Sequence, residues 1–453
     1  MALGNFAPFV RKMERAGVKA AAIASFRRHY SQLLRGEAGF LSGAEIAPVN
    51  QLPKLEDLPE CDDSLYASRI AVLKLNGGLG TSMGLRGPKS LLMVREGYNF
   101  LEILLKQIKS CRLLHHACVP LVLLNSFNTS FQTEQLVGAH PEVVSQPIDH
   151  ELLQSQVPKV LADTLAPASY PKNPVLEWCP PGHGDVYLSL HQSGMLRKML
   201  DLGLRWLFMS NIDNLGAVLD MRIPAYMEMS GAPVLMEAAL RCPVDRKGGH
   251  LALKRGQLIL REAAMCPPDE KDDFQNIDKY RYFNTNSLWV DIRALAEVAG
   301  KCGGDLPLPL IVNRKTLDPS DPYSPKVYQL ETAMGAIISL FRNSCALEVP
   351  RTRFAPVKTL ADLVALRSNA YRLSSEWQVC LNGRKAPPEI MLAPEHFRDV
   401  RSLDRSFPYG MPDLSECQSL TVDVPAVFGR GVKCVGKVRV SELAVPDGAV
   451  LES

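Results

Sequence analysis

No stretch of this chain approaches the roughly 18 uninterrupted apolar residues that a membrane-spanning helix needs. Near the start, Arg11, Lys12, Glu14 and Arg15 arrive before an apolar signal core could form, so neither a membrane nor a secreted protein is expected. Charge of one sign is equally scarce. The 51 Lys+Arg against 48 Asp+Glu leave a net charge of +3, and nothing global points to nucleic acid or to an anionic membrane. The 11 cysteines include no Cys-x-x-Cys pair and no His/Cys cluster at zinc spacing, which excludes a zinc module and a disulfide framework. They read as reduced thiols in a cytoplasmic protein. Among 9 histidines there is no His-x-His. What is present is ordinary: 46% hydrophobic and 22% charged residues make a soluble globular composition, and 453 residues suggest about three domains.

Phe9 to Leu34 carries apolar groups at helical spacing, and a proline-bearing linker runs from Pro48 to Cys61. From Ile70 onward, apolar runs at Ile70–Leu75, Val119–Leu124, Trp206–Met209 and Val234–Leu240 read as strands. They alternate with amphipathic stretches. Phe100 to Ser110 predicts a helix capped by Asn99 with Glu102 three residues on, and Lys326 to Phe341 a second. This alternation predicts a mostly parallel α/β sheet. His250 to Leu260 predicts an inserted hairpin turning at Arg255-Gly256, followed by the acidic stretch Asp269 to Asp278. Thr359 with Asp362 forms a capping box for a helix expected to reach about Leu373. In the tail, Val422, Val427, Val432 and Val438 recur every five or six residues among Gly429, Gly431, Gly436 and Gly448. That spacing fits a parallel β-helix or an ordinary small sheet equally well.

The stretch richest in chemistry is KLNGGLGTSMGLRGPKS, Lys74 to Ser90, directly after a strand. Its glycines let backbone N–H groups approach a phosphate without side-chain obstruction. It is neither of the two common glycine loops. Gly80 and Gly84 enclose three residues where a dinucleotide fingerprint has two, and Pro88 separates Gly87 from Lys89-Ser90 where a P-loop has glycine next to lysine.

LNGGLGTSMG with GPKS resembles the nucleotide-binding signature of the eukaryotic-type UTP:glucose-1-phosphate uridylyltransferases. WCPPGHGDVY, SNIDNLGAVLD, FNTNSLWVDI, PLIVNRKTLDP, VYQLETAMGA and RFAPVKT follow in that family's order. The resemblance covers roughly Ile70 to the C-terminus. It implies a central glycosyltransferase-A-like (Rossmann-like) mixed-sheet domain and turns the tail toward a left-handed parallel β-helix. The domains are then 1–68 (helical segment and linker), 69–375 (catalytic) and 376–453 (β-helix). The implied reaction joins UTP and glucose 1-phosphate into UDP-glucose and pyrophosphate with Mg2+, without a nucleic-acid or membrane partner. Matched by position, Leu75, Asn76, Gly77 and Gly78 hold the nucleotide, Lys89 and Lys358 are the catalytic phosphate-binding lysines, and Gln154 and Gly182 read uracil. His183, Asn211, Asn284 and Asn286 meet the sugar phosphate, and Asp213 holds the metal.

The residue types suit such chemistry. Attack of one phosphate oxygen on another phosphorus needs positioning and cationic stabilisation more than acid–base groups, and two lysines with a metal supply both. Asp213 stands just beyond a sheet strand, where open α/β sheets bind ligands; read alone it is equally a turn residue. His183 sits between glycines in a tight loop. Asn284 and Asn286 alternate about Thr285, so one face of a strand would carry both. Lys358 rests on the resemblance. The Gln154 segment keeps the family's Gln-Ser but not the neighbouring residues. The sequence ends soon after VPDGAVLE, before a further strand that relatives carry, which leaves open whether a homo-oligomer forms. Competing readings are a uridylyltransferase for another sugar 1-phosphate and a non-catalytic nucleotide-sugar sensor; a sensor could lose Lys89 or Lys358, and both are present.

Overall fold

The apolar runs meet in one ten-stranded mixed sheet. The computed structural model describes residues 6–452 apart from 38, 86, 243, 244, 247 and 385, so Arg86 of the glycine-rich loop and Ser453 lie outside the described residues. At the centre, Ile70–Asn76 runs parallel to Leu121–Asn125 on one side and to Trp206–Asn211 on the other, and Glu151–Leu153 extends the parallel set. Every residue from Ile70 to Lys74 is buried, as expected for a strand covered on both faces. Beyond Trp206–Asn211 the direction reverses. Tyr282–Asp291 runs antiparallel to it and to Val234–Leu240, and Cys345–Glu348 then adds in parallel. The sheet is therefore mixed rather than mostly parallel.

The period of two in each strand divides its side chains between two cores. Ile70, Val72, Leu121 and Phe208 face Leu101, Leu104 and Ile108 of the helix Phe100–Leu114. Ala71, Leu73, Val122 and Leu207 face Leu190, Leu196, Met199 and Leu295. Full burial of each such side chain is worth about 1.5–3 kcal/mol, so this double layer fixes the strand register and with it the sheet's carboxyl edge. The helix begins where its caps predict: Asn99 Oδ1 accepts from Glu102 N–H, and Glu102 Oε2 accepts from Asn99 N–H, both at 2.9 Å. The hairpin His250–Lys254/Gln257–Arg261 forms as expected, with φ of 52° at Arg255 and 79° at Gly256 closing a two-residue turn. Ala47–Pro48, where the linker begins, pairs with the hairpin's first strand.

Three expected elements differ. The first helical run is two helices, Ala7–Arg15 and Ala20–Leu34, because Gly17 turns the chain at φ 71°; the aromatic rings of Phe6, Phe9, Phe26 and Tyr30 lock the pair. Lys326 to Phe341 is not a helix. Lys326–Glu331 is a strand paired with Ile311–Thr316, and Met334–Leu340 follows as tight 3-10 turns. Val327 and Tyr328 favour an extended chain, and a Cβ on Gly335 would collide with Leu260. The helix from Leu360 stops at Arg367, after which Tyr371–Leu373 pairs with Val379–Leu381 in a hairpin across residue 375.

In the tail, Glu389–Leu392, Asp413–Val422, Lys433–Val440 and Val450–Glu452 stack in parallel, and Val427–Phe428 pairs in parallel with Ala444–Val445. Val422, Val432 and Val438 point inward as their spacing suggests, whereas Val427 is exposed and its neighbour Phe428 is buried instead. This ladder shares a core with Phe100 and Ile103 of the central helix. No helix among the described residues is long and apolar enough to cross a membrane.

Candidate active site

The parallel strands end in a row. Leu75 is paired with Leu124 on one side and Asn211 on the other, Asn76 lies opposite Asn125, and Asn125 opposite Leu153. The glycine-rich loop, Gln154 and Asp213 therefore leave one edge together. Asn76 is buried, its Nδ2 donating to Asn125 Oδ1 at 2.7 Å and Thr133 Oγ1 at 2.9 Å. Its side chain anchors the loop, and what it offers a ligand is backbone. A Cβ on Gly77 would overlap Gln154 Oε1 and displace that side chain, whereas a Cβ on Gly78 would meet open space. The loop then folds back on itself: Lys89 N–H donates to Gly78 O at 3.2 Å, and Leu79 bridges Pro88. That fold delivers Lys89 to the strand edge, where its Nζ lies 2.6 Å from Asp213 Oδ2.

Gln154 joins two loops, packing on Gly77 and donating from Nε2 to Gly182 O at 3.1 Å. Gly182, at φ 80°, lies against Thr332, and neither it nor Gly184 has room for a Cβ there. Between them His183 Nδ1 accepts from Met334 N–H at 3.0 Å. An accepting Nδ1 places the proton on Nε2, and burial holds the imidazole pKa down at about 4, so His183 is a neutral N–H donor.

Asn211 Oδ1 accepts from Asn286 Nδ2 at 2.8 Å, and Asn284 Oδ1 accepts from Asn286 N–H at 2.8 Å. Simple alternation does not describe this pair. The register shifts beside Thr285, whose Oγ1 donates to Glu237 O, and Asn286 takes φ 57°, a conformation that asparagine tolerates better than most residues. Asn286 Oδ1 is buried and unpartnered. Asn284 reaches Glu262 Oε1 at 3.5 Å. Glu262 is a site residue that the sequence did not reveal: burial pushes its carboxyl above the usual carboxylate range, with Asn284 and the charge of Lys358 opposing. Lys358 Nζ sits over the rings of Phe283 and Phe354, at 5.3 and 5.6 Å. The structure thus gathers Lys89 with Asp213, Gln154 with Gly77 and Gly182, and Asn211 with Asn284 and Asn286. Lys358 joins the asparagine group and makes no ion pair with Asp213.

The Asp213 loop is stitched to the Lys358 segment. Asn214 Nδ2 donates to Arg353 O at 3.0 Å, and Ala355 N–H donates to Asn214 Oδ1 at 3.1 Å. Arg353 reaches back to Val218 O at 2.8 Å while paired with the fully buried Glu237 at 2.8 and 2.7 Å. Asn214 and Arg353 lie within SNIDNLGAVLD and RFAPVKT, but nothing local in the sequence marks either as a site residue. Among the described residues no group of three or more His, Cys, Asp or Glu could hold a metal. Asp213 alone, with Oδ2 on Lys89 and Oδ1 without a hydrogen bond, fits an ion that takes one carboxylate and fills its remaining positions with phosphate oxygens and water, as magnesium does.

Fold and site together define an α/β protein in which a glycine-rich loop, a lysine and a carboxylate meet at the carboxyl edge of the parallel strands. The family model described as UTP--glucose-1-phosphate uridylyltransferase matches residues 23–434, and the chain belongs to that family. It is 37% identical over 445 residues to the enzyme of that name from Hordeum vulgare, covering 95% of this chain and 92% of the relative. It is 38% identical over 393 residues to that of Saccharomyces cerevisiae, covering 85% and 77%. A crystal structure of UDP-glucose phosphorylase from Trypanosoma brucei superposes with a TM-score of 0.93 at 42% identity, covering 99% of this chain and 98% of that one. The S374W mutant of Leishmania major UDP-glucose pyrophosphorylase in complex with UDP-glucose gives 0.92 at 42%, with the same coverage.

Proposed function

We propose that the site makes UDP-glucose and pyrophosphate from UTP and glucose 1-phosphate by direct attack of the sugar-phosphate oxygen on the α-phosphorus of UTP. Family membership supports the reaction. The observation that carries the chemistry is the Lys89–Asp213 contact at the strand edge, because it places a mobile cation and a metal-competent carboxylate where a glycine loop can lay a triphosphate. The backbone of Leu75, Asn76, Gly77 and Gly78 cradles the nucleotide. Gln154 and Gly182 border the uracil, Lys89 turns from Asp213 to the phosphates, and His183 donates its Nε2–H to the sugar phosphate. Asn211, Asn284 and Asn286 read the sugar hydroxyls together with Glu262, and Lys358 neutralises charge from that side. A magnesium ion held by Asp213 and the substrate oxygens would supply further neutralisation at the phosphates.

A glucose 1-phosphate oxygen is already ionised at neutral pH, so it needs alignment rather than a base. An enzyme nucleophile is also unnecessary, and His183, whose Nδ1 is occupied by Met334 N–H, is not poised to be one. We read the centre as glycosyltransferase-A-like and the tail's parallel ladder as turns of a left-handed β-helix, with domains at 1–68, 69–375 and 376–453. We place the enzyme in the cytoplasm, with a homo-oligomer as the state to test by light scattering. The activity is tested by pyrophosphate release from UTP against a panel of sugar 1-phosphates. Glucose 1-phosphate should be preferred; equal or better turnover of the galactose or N-acetylglucosamine compounds would overturn that preference, and no turnover of any would favour a sensor.

A further inference from the structure

Behind the Asp213 loop, on the side of the sheet away from His183, lies a cavity of about 360 Å³, within the size range of small-molecule sites. Its body is apolar, lined by Val72, Leu104, Ile108, Phe208 and Met221. Its polar groups are unbalanced. Glu60, Asp63, Asp220 and Glu376 face it, against Arg222 and the deeply placed Lys74. Arg222 is already committed, 2.8 Å from Asp220 and 3.6 Å from Glu60. Lys74 Nζ is committed too, donating to Ser210 Oγ at 2.7 Å and Ala217 O at 2.8 Å. Asp63 has His115 at 3.6 Å and Cys61 Sγ at 3.8 Å, and among the described residues Glu376 is held only by the serines beside it, accepting from Ser375 Oγ at 2.7 Å and donating its N–H to Ser374 Oγ at 3.2 Å. Gln107 directs its Nε2 hydrogens to Leu215 O at 3.1 Å and Trp377 O at 3.0 Å, which leaves its Oε1 as one more acceptor on the wall. Glu60, Asp63 and Glu376 are exposed and so stand at the mouth of the cavity, and an apolar body with a spare acceptor inside and an acidic rim complements a cation.

We propose that this cavity is a second ligand site, taking a small organic amine whose apolar body packs on Phe208 and Leu104 and whose ammonium meets Asp63, Glu376 and Gln107 Oε1. Two of the groups that line the cavity hold the Asp213 loop from behind. Gln107 grips the carbonyl two residues after Asp213 and Lys74 the carbonyl four residues after it. Gln107 also ties that loop to Trp377, which sits at φ 63° with Lys106 Nζ 4.2 Å over its ring. Positive φ is a strained setting for a bulky residue, so the turn is held by these contacts rather than by its own preference. Occupancy therefore shifts the Lys89–Asp213 geometry and changes turnover. That second half rests on the proposed reaction; the binding half does not.

The test titrates the full-length protein with tryptamine by calorimetry, in the presence and absence of UTP, with indole-3-propionate as the anionic counterpart of similar shape. Tryptamine is expected to bind without displacing UTP and to change kcat. Ser110→Trp, which fills the cavity from a residue outside the catalytic groups, should abolish tryptamine binding and with it any response of kcat to tryptamine. Asp63→Asn and Glu376→Gln should each weaken binding by up to about fivefold. Absence of tryptamine binding, binding that survives Ser110→Trp, or equal or tighter binding of indole-3-propionate would overturn the site. Binding with kcat unchanged would overturn the coupling. Failure of the uridylyl reaction itself would leave the calorimetric result standing.

Discussion

Replacing Arg353 should cost more stability than replacing either proposed catalytic lysine, although Arg353 touches no proposed substrate group. Glu237 is fully buried, and its carboxylate is held by Arg353 Nε and Nη2 at 2.8 and 2.7 Å and by Trp289 Nε1 at 2.9 Å. Arg353→Met removes the two charge-assisted bonds and leaves a carboxylate without its counter-charge inside the protein, a loss of about 3–5 kcal/mol. The bond to Val218 O goes with it, so the loop bearing Asp213 loosens and kcat should fall as well. Urea unfolding followed by tryptophan fluorescence reads the first effect, pyrophosphate release the second. The double variant Glu237→Leu/Arg353→Met separates them. With both charges gone, part of that loss should be recovered, but stability should stay about 1–3 kcal/mol below wild type because Trp289 Nε1–H loses its acceptor, while kcat stays low because Val218 is still unheld. A loss below about 1 kcal/mol for Arg353→Met, or a double variant with normal turnover, would refute the reasoning.

Lys89→Ala should lower kcat by orders of magnitude with folding nearly unchanged, Lys89→Arg should fail as well because a planar guanidinium does not fit the tight loop, and Asp213→Asn should need far more magnesium for whatever activity remains; metal titration of each variant is the check. Gly77→Ala drives a methyl group into Gln154, and Gln154→Ala removes the bond to Gly182 O, so both should erode the preference for UTP over ATP in kcat/KM. For acid sensitivity, burial holds His183 and His29 down at about 4 and His250 at about 3. Each is neutral in the fold and binds a proton more readily when unfolded, so its contribution is fully present above about pH 6.5 and is lost as pH falls toward the folded values. Urea midpoints should decline between pH 6.5 and 4, less steeply in His183→Leu, and a flat profile would contradict the assignment.

The parts of the site that local chemistry dictates were legible in the sequence. A buried strand running straight into five glycines and a lysine announces a tight loop at the strand edge, and the Asn99 and Thr359 caps announce their helices because a cap is satisfied within one turn. The hairpin at Arg255-Gly256 was legible for the same reason. What could not be read depends on partners far away in the chain. Glu262 beside Arg261 looks like a surface charge pair until Asn284 and Lys358 fold over it, and Arg353 looks like a basic residue before an apolar turn until Glu237 meets it across the sheet. The Lys326 to Phe341 segment misled because Val, Tyr, Leu and Met at mixed spacing satisfy helix and strand alike; pairing with Ile311–Thr316 decided it. Asn286 misled because a bulge beside Thr285 breaks the alternation that a regular strand would keep.

Direct transfer is tested most sharply by incubating the enzyme with UTP, magnesium and labelled pyrophosphate in the absence of any sugar phosphate. Beside Lys89, Asp213 is engaged by that lysine through Oδ2, and His183 Nδ1 is occupied by Met334 N–H. No label should enter UTP until glucose 1-phosphate is added, and initial-rate plots against both substrates should intersect. Exchange into UTP with UTP alone, accompanied by a labelled uridylyl group that stays on the denatured protein, would contradict it.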